Sequence, residues 1–288
     1  MTALKENLDR LEEAIAAACR QAGRPRDEVE LMAVSKTYPA ATVAEAAALG
    51  LRLFGESRVQ EFGAKAAELA QLRSAIEGRE RVVGRDFSPG TDFAELARAL
   101  APEVRFSGNS PAISASLTTS STPIRVHLIG HLQSNKAARA AELFDAVDSV
   151  DSLRLAERLN AAVNKVGKPL PILIEVKLSH EETKAGLDPN SPEAAELLER
   201  LPDLEYLETR GLMTIAPWGV AEDVTRECFR SLRQWRDRWA AAHPKLKLDV
   251  LSMGMSGDFQ IAIAEGATRI RVGTALFGKR AIWTGPPE

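Results

Sequence analysis

The chain reads as an α/β protein, a single (β/α)8 TIM barrel with one extra helix at its start. Strand-like and helix-like segments alternate from end to end of 288 residues, a length that such barrels commonly use as one domain. Eight strand candidates stand out, at 31–36, 52–55, 125–130, 145–150, 171–178, 207–213, 247–252 and 269–273. A doubly wound open sheet is the competitor. It would place a glycine-rich dinucleotide turn after an early strand, where this chain has Ser35-Lys36-Thr37-Tyr38.

The elements follow from local pattern. The first helix carries Leu4, Leu8, Leu11 and Ile15 on one face and Lys5, Glu6, Asp9 and Glu12 away from it. Helices are predicted between the strands at 40–48, 57–72, 134–143, 152–165, 192–200, 222–242 and 257–265. Asp151-Ser152 caps the run at 152–165, whose Leu155, Leu159 and Val163 form one stripe. The run at 222–242 carries Val224, Cys228, Leu232, Trp235 and Trp239 at helical spacing, a stripe expected to face the barrel. Residues 73–123 break the rhythm, because a barrel needs only a few residues between helix and strand. Within them 91–100 predicts a short helix. The Ser/Thr-rich run 107–122 predicts a loop with little to bury. An insertion there falls on the amino-terminal face, away from the chemistry of a barrel.

Composition excludes several classes of function. With 45% apolar and 27% charged residues the chain is an ordinary globular sequence. Its formal charge of −3 excludes a dedicated nucleic-acid binder, which carries a basic excess. The opening MTALKENLDRLEE is too charged for a secretory signal, and no apolar run is long enough to span a bilayer. Cys19 and Cys228 lie in separate helical segments, which predicts two free thiols in a cytoplasmic chain.

The chemistry is expected at the carboxyl ends of the strands. Lys36 closes the apolar run LMAVSK at 31–36. A partly desolvated lysine at such a place can act as an amine nucleophile toward an aldehyde, although a lysine at a strand end also often just snorkels into solvent. Three further segments converge on the same face. The first is LSMGMSGD at 251–258, where Gly254 and Gly257 bracket Ser256. Ser256 either caps the following helix or joins backbone amides in a phosphate cradle. The second is RIRVGTALFG at 269–278, where Gly273 allows close backbone approach and Thr274 adds a hydroxyl. Barrels often bind phosphate with the loops after strands seven and eight. Arg271 shares a face with Gly273, and if inward-facing it is a buried cation in need of a partner; Arg269 lies nearer the bottom of the strand. The third is IRVHLIGHLQSNK at 124–136. No carboxylate or cysteine there completes a metal site with His127 and His131, while Gln133, Asn135 and Lys136 read as rim groups. A lysine, an anion cradle and an arginine at one mouth suit an aldehyde that also carries a phosphate, as pyridoxal phosphate does.

These segments resemble the pyridoxal phosphate homeostasis proteins, relatives of the amino-terminal barrel of alanine racemase. The resemblance rests on LMAVSKT at 31–37, LFGESRVQE at 53–61, HLIGHLQSNK at 127–136, SVDSL at 149–153, GLMTIAP at 211–217, LSMGMSGDFQIAIAEG at 251–266 and RIRVGTALFG at 269–278. It implies the barrel of fold-type III pyridoxal phosphate enzymes without their β-rich domain. Lys36 is then the Schiff-base lysine, and Ser256, Gly273 and Thr274 hold the phosphate. Arg271 faces the pyridine nitrogen, with Ser57, Met213 and Gly254 also at the cofactor. An arginine beside that nitrogen keeps it unprotonated and weakens the cofactor as an electron sink. The resemblance therefore implies a non-catalytic carrier of pyridoxal phosphate that hands the cofactor to apo-enzymes, and one barrel with a charged exterior is expected to be a monomer. Ser57 stands where the family usually has asparagine, Val126 replaces a usual tryptophan, and typical members lack the 73–123 insertion. The rival functions are an amino-acid racemase or decarboxylase on the same barrel, a Schiff-base aldolase, and an interaction protein without cofactor. About fifteen residues follow the eighth strand, too few for a catalytic β-domain. Tyr38 is the tyrosine close to Lys36.

Overall fold

Eight parallel strands close into a barrel whose spatial order is the sequence order, with β1 pairing both β2 and β8. The computed structural model describes residues 2–82, 123–178 and 185–278. The strands are β1 (Glu30–Val34), β2 (Leu53–Glu56), β3 (Arg125–Leu128), β4 (Ala146–Val150), β5 (Leu170–Glu175), β6 (Leu207–Met213), β7 (Val250–Ser252) and β8 (Arg269–Val272). The described α-helices are α1 (Ala3–Gln21), α2 (Ala40–Ala48), α3 (Val59–Val82), α4 (Ala137–Leu143), α5 (Leu153–Val166), α6 (Pro192–Arg200), α7 (Glu222–Ala242), α8 (Phe259–Ala264) and α9 (Thr274–Phe277).

Alternation along each strand sorts the side chains. Leu31, Ala33, Phe54, Val126, Leu128, Val147, Ile172, Ile174, Leu212, Ile270 and Val272 face the helices and join one continuous core with them. The other parity turns inward. Arg269 on β8 reaches Asp148 on β4, on the far side of the barrel, at 3.1 Å, so both side chains lie in its interior. Apolar helix stripes cover the outside. Leu4, Leu8, Leu11 and Ile15 of α1 are buried, and α1 packs across α8 and α9 as the extra helix. Ser152 caps α5 by accepting the Leu155 N–H, and Leu155, Leu159 and Val163 are buried below it.

Several sequence expectations need correction, among them the strand at 171–178, which is Leu170–Glu175. β1 ends at Val34, so Lys36 sits in the turn beyond the strand, where the Tyr38 N–H donates to the Ser35 carbonyl at 3.1 Å. α3 runs past residue 72 to Val82. β7 is the short Val250–Ser252 rather than 247–252. In α7 the buried face is Thr225, Cys228, Phe229, Leu232 and Trp239, while Val224 is 46% exposed. Val224 stands in the first turn of α7, and the helix rotates Phe229 inward in its place. The helix expected at 91–100, the loop at 107–122 and most of the 73–123 insertion lie outside the described residues. Cys19 and Cys228 are buried and not joined in a disulfide.

Candidate functional site

Lys36 lies in the turn after β1, at the carboxyl end of the barrel strands, and is half-buried. Its neighbour Thr37 has φ 69°, the one positive φ at a non-glycine position among the described residues. For a β-branched residue this is a strained conformation that surrounding structure must enforce.

The loops after β7 and β8 meet beside this turn. The capping role open to Ser256 is not what the structure shows. Asp258 takes the position before α8, and its Oδ1 accepts the Met255 N–H at 2.5 Å. Ser256 instead reaches across to the next loop, where its Oγ accepts the Ala275 N–H at 3.4 Å. Gly254 makes this reach possible from below. Its φ of +91° turns the chain out of β7, and a Cβ there would lie 2.5 Å from the Ala262 Cβ. Its carbonyl accepts the Arg271 N–H at 2.9 Å, so β7 and β8 stay joined under the loop. At Gly273 a Cβ would press within 3.3 Å of the Val34 carbonyl, which draws the start of α9 toward β1. A Cβ on Gly257 would meet nothing within 4 Å, and Thr274 is exposed. Ser256 and exposed Thr274 thus place two hydroxyls in neighbouring loops at the carboxyl end of the barrel.

Arg271 of β8 is 4% exposed. Its guanidinium donates to the Ser252 carbonyl at 2.7 Å, the Ser252 hydroxyl at 2.9 Å and the Thr214 carbonyl at 2.9 Å. Its hydrogen-bond partners among the described residues are thus neutral. Burial lowers its pKa, and the more distant carboxylates of Asp148, Glu175 and Asp258 oppose that effect. Met213, fully buried at the end of β6, pairs in register with Glu175 and Ser252 and lies on the floor of the mouth. Ser57 is half-buried just past β2. Its carbonyl would be 2.3 Å from a Cβ on Gly130, so β2 and β3 approach closely at this rim. Gln133 and Asn135 are exposed and Lys136 half-buried in the loop after β3, as rim groups should be.

Glu175, at the end of β5, escaped the sequence reading. It is 5% exposed, and its Oε2 has no hydrogen-bond partner among the described residues. Burial pushes its carboxyl up to about 7, Asp151 adds to the push, and Arg271 opposes it. A raised carboxyl pKa makes folding stability greatest below the unfolded value of 4.5 and erodes it as pH rises through about 7. Glu175→Gln should therefore flatten the pH dependence and stabilise the ligand-free protein at pH 8 by up to about 3 kcal/mol. Urea unfolding of both proteins at pH 5 and pH 8 checks this, and equal differences at the two pH values would contradict it.

A second polar cluster fills the bottom of the barrel. His127 Nδ1 lies 3.0 Å from Asp148 Oδ1, Arg269 donates to Asp148 Oδ2 at 3.1 Å and to Glu30 at 2.8 Å, and Arg125 joins Glu30 at 2.6 Å. Burial alone would raise the Asp148 carboxyl, but His127 and Arg269 outweigh it and hold its pKa below the usual range. His131 pairs with Asp151 at 3.2 Å on the opposite rim and is 55% exposed on its side chain. The two histidines thus serve separate clusters, and no group of three metal-type ligands occurs among the described residues. Hollows of about 350 and 380 Å³ at the start of β6 and between α3 and α4 contain neither Lys36 nor the cradle.

The profile of the family described as "Alanine racemase, N-terminal domain" matches residues 6–281. A protein of Pseudomonas aeruginosa named "Pyridoxal phosphate homeostasis protein" is 36% identical over 281 residues, covering 97% of each chain. The chain belongs to the pyridoxal phosphate homeostasis protein family. Another member under that name, from Escherichia coli K12, is 34% identical and covers 97% of this chain and 98% of its own. The family's fold agrees as well. PipY of Synechococcus elongatus, solved with pyridoxal phosphate bound, is 37% identical and superposes with a TM-score of 0.67 over 92% of this chain and 100% of its own.

Proposed function

We propose that this chain binds pyridoxal 5′-phosphate through a reversible covalent bond to Lys36 and serves as a non-catalytic carrier of the cofactor. The observation that supports this most is that the turn carrying Lys36, the Ser256–Ala275 loop contact and buried Arg271 all lie toward the carboxyl ends of the barrel strands. The cofactor supplies an aldehyde that condenses with a primary amine, and a phosphate that anchors it. Ser256, Thr274 and the amides around Gly273 hold the phosphate, and Gly254 shapes their loop. Arg271, Met213 and Ser57 would line the ring of the bound cofactor.

Arg271 also argues for holding over turnover. Its guanidinium stays cationic at neutral pH despite burial, so it cannot give a proton to the ring nitrogen. The Tyr38 hydroxyl donates to the Gly278 carbonyl at 3.0 Å, and its ring stacks on Phe277 at 4.8 Å. Its hydroxyl is thereby joined to the segment that follows α9. In this reading the protein is a cytoplasmic monomer that supplies cofactor to apo-enzymes. In the same reading the chain forms one barrel domain. No described helix is long and apolar enough to cross a membrane.

Ser256→Ala tests the assignment of the cradle. Losing a hydrogen bond to a charged phosphate should weaken binding by about 1.5–3 kcal/mol. An unchanged dissociation constant in a fluorescence titration removes Ser256 from the site. Rapid turnover of alanine, serine or a diamine by the purified protein would replace the carrier with the racemase or decarboxylase alternative.

A further inference from the structure

Behind β1, on the side away from the mouth, a buried polar clamp grips the turn that carries Lys36. Lys65 of α3 is 8% exposed. Its Nζ donates to the Ser35 carbonyl at 3.0 Å and the Tyr38 carbonyl at 2.9 Å, which flank Lys36 in the chain. Glu56, fully buried at the end of β2, lies 2.7 Å from the same ammonium and accepts the Ser35 hydroxyl at 2.6 Å. One helical turn before Lys65, Glu61 accepts the Thr37 N–H. Ser35, Thr37 and Tyr38 are thus each held by β2 or α3.

We propose that Ser35, Glu56 and Lys65 are positioning residues that aim Lys36 at the cofactor aldehyde. The inference rests on the reading of Lys36 as the tether. Glu56 has the parity of Phe54 and faces α3, so neither member of the ion pair lines the mouth or touches a ligand there. A buried ion pair is a costly way to satisfy two carbonyls, since both charges lose their hydration. It is suited to fixing direction, because an ammonium and a carboxylate fix the geometry of their partners. What it fixes is the turn with Thr37 at φ 69°, a conformation a threonine leaves once it is released. In the condensation, the Lys36 nitrogen bonds to the aldehyde carbon and the aldehyde oxygen leaves as water with both amine hydrogens. That step needs the nitrogen placed on the carbonyl carbon, whereas anchoring the phosphate does not.

Two ligands separate these requirements. Pyridoxal 5′-phosphate can bond to Lys36. Pyridoxine 5′-phosphate has the same ring and phosphate, but an alcohol replaces the aldehyde. Lys65→Met should slow the absorbance change of bond formation about 10- to 100-fold, the scale of an ångström's misplacement, and leave the dissociation constant for pyridoxine phosphate unchanged. Lys65→Arg, which keeps the donors, should recover most of the rate. Ser35→Ala removes one hydroxyl and leaves the ion pair, so it decides the matter if Lys65→Met does not fold. It should slow bond formation about fivefold, the scale of one hydrogen bond, again without effect on pyridoxine phosphate. Equal weakening of both ligands, or no change in either, overturns the positioning role. Wild-type protein that binds neither ligand overturns the cofactor reading itself, and this inference with it.

Discussion

Lys36→Ala protein is expected to bind pyridoxal phosphate without forming the covalent bond, so the absorbance band of the lysine adduct disappears. Loop anchors remain in the variant, because Ser256, Gly273 and Thr274 are placed by Gly254 and by the β7–β8 pairing rather than by Lys36. Binding should persist but weaken at least about tenfold, or 1.4 kcal/mol. Pyridoxine phosphate, which never uses the amine, should bind wild type and variant alike. A variant that keeps the adduct band would place the covalent bond on another lysine. One that loses both ligands would show Lys36 to be part of the structure of the mouth.

Asp148→Asn should destabilise the fold more than any substitution at the mouth. Asp148 is 1% exposed and faces both His127 and Arg269. Removing its charge leaves the Arg269 guanidinium, among the described residues, with the half-exposed Glu30 as its remaining counter-ion. Breaking a buried pair in this way costs about 3–5 kcal/mol. The pH dependence has a definite sign. The folded pKa of Asp148 lies below its ordinary 3.8, so its contribution is present above that value and fades as pH falls through the lower, folded pKa. The gap between wild type and variant in urea midpoints should therefore hold at neutral pH and close in acid. A variant as stable as wild type at pH 7 would mean that Arg269 and Glu30 suffice.

The barrel was legible because its strands alternate apolar residues with a few polar ones at inward positions. The apolar parity of β1, β3 and β8 alone predicts which side chains meet the helices. Arg271 and Arg269 were separable by height along β8, and the structure places them in different clusters as that height requires. Other features, Glu175 among them, were not legible. Ser256 had two good readings from sequence, and only the register of the loop after β8 brings the Ala275 amide to its hydroxyl. Val224 kept helical spacing, yet its place at the start of α7 leaves it in solvent. Glu56 and Lys65 gave no signal, because a glutamate at a strand end and a lysine in a helix are each ordinary surface residues. Their burial follows from the way α3 lies on β2, a tertiary fact with no period in the sequence.

The central claim is a covalent bond between Lys36 and pyridoxal phosphate, and reduction tests it directly. Wild-type protein mixed with pyridoxal phosphate should be treated with borohydride, digested and mapped by mass spectrometry. The account predicts one reduced pyridoxal phosphate adduct, located on the peptide that contains Lys36. Unmodified Lys36 with the adduct on other lysines, or no adduct at all, would contradict it.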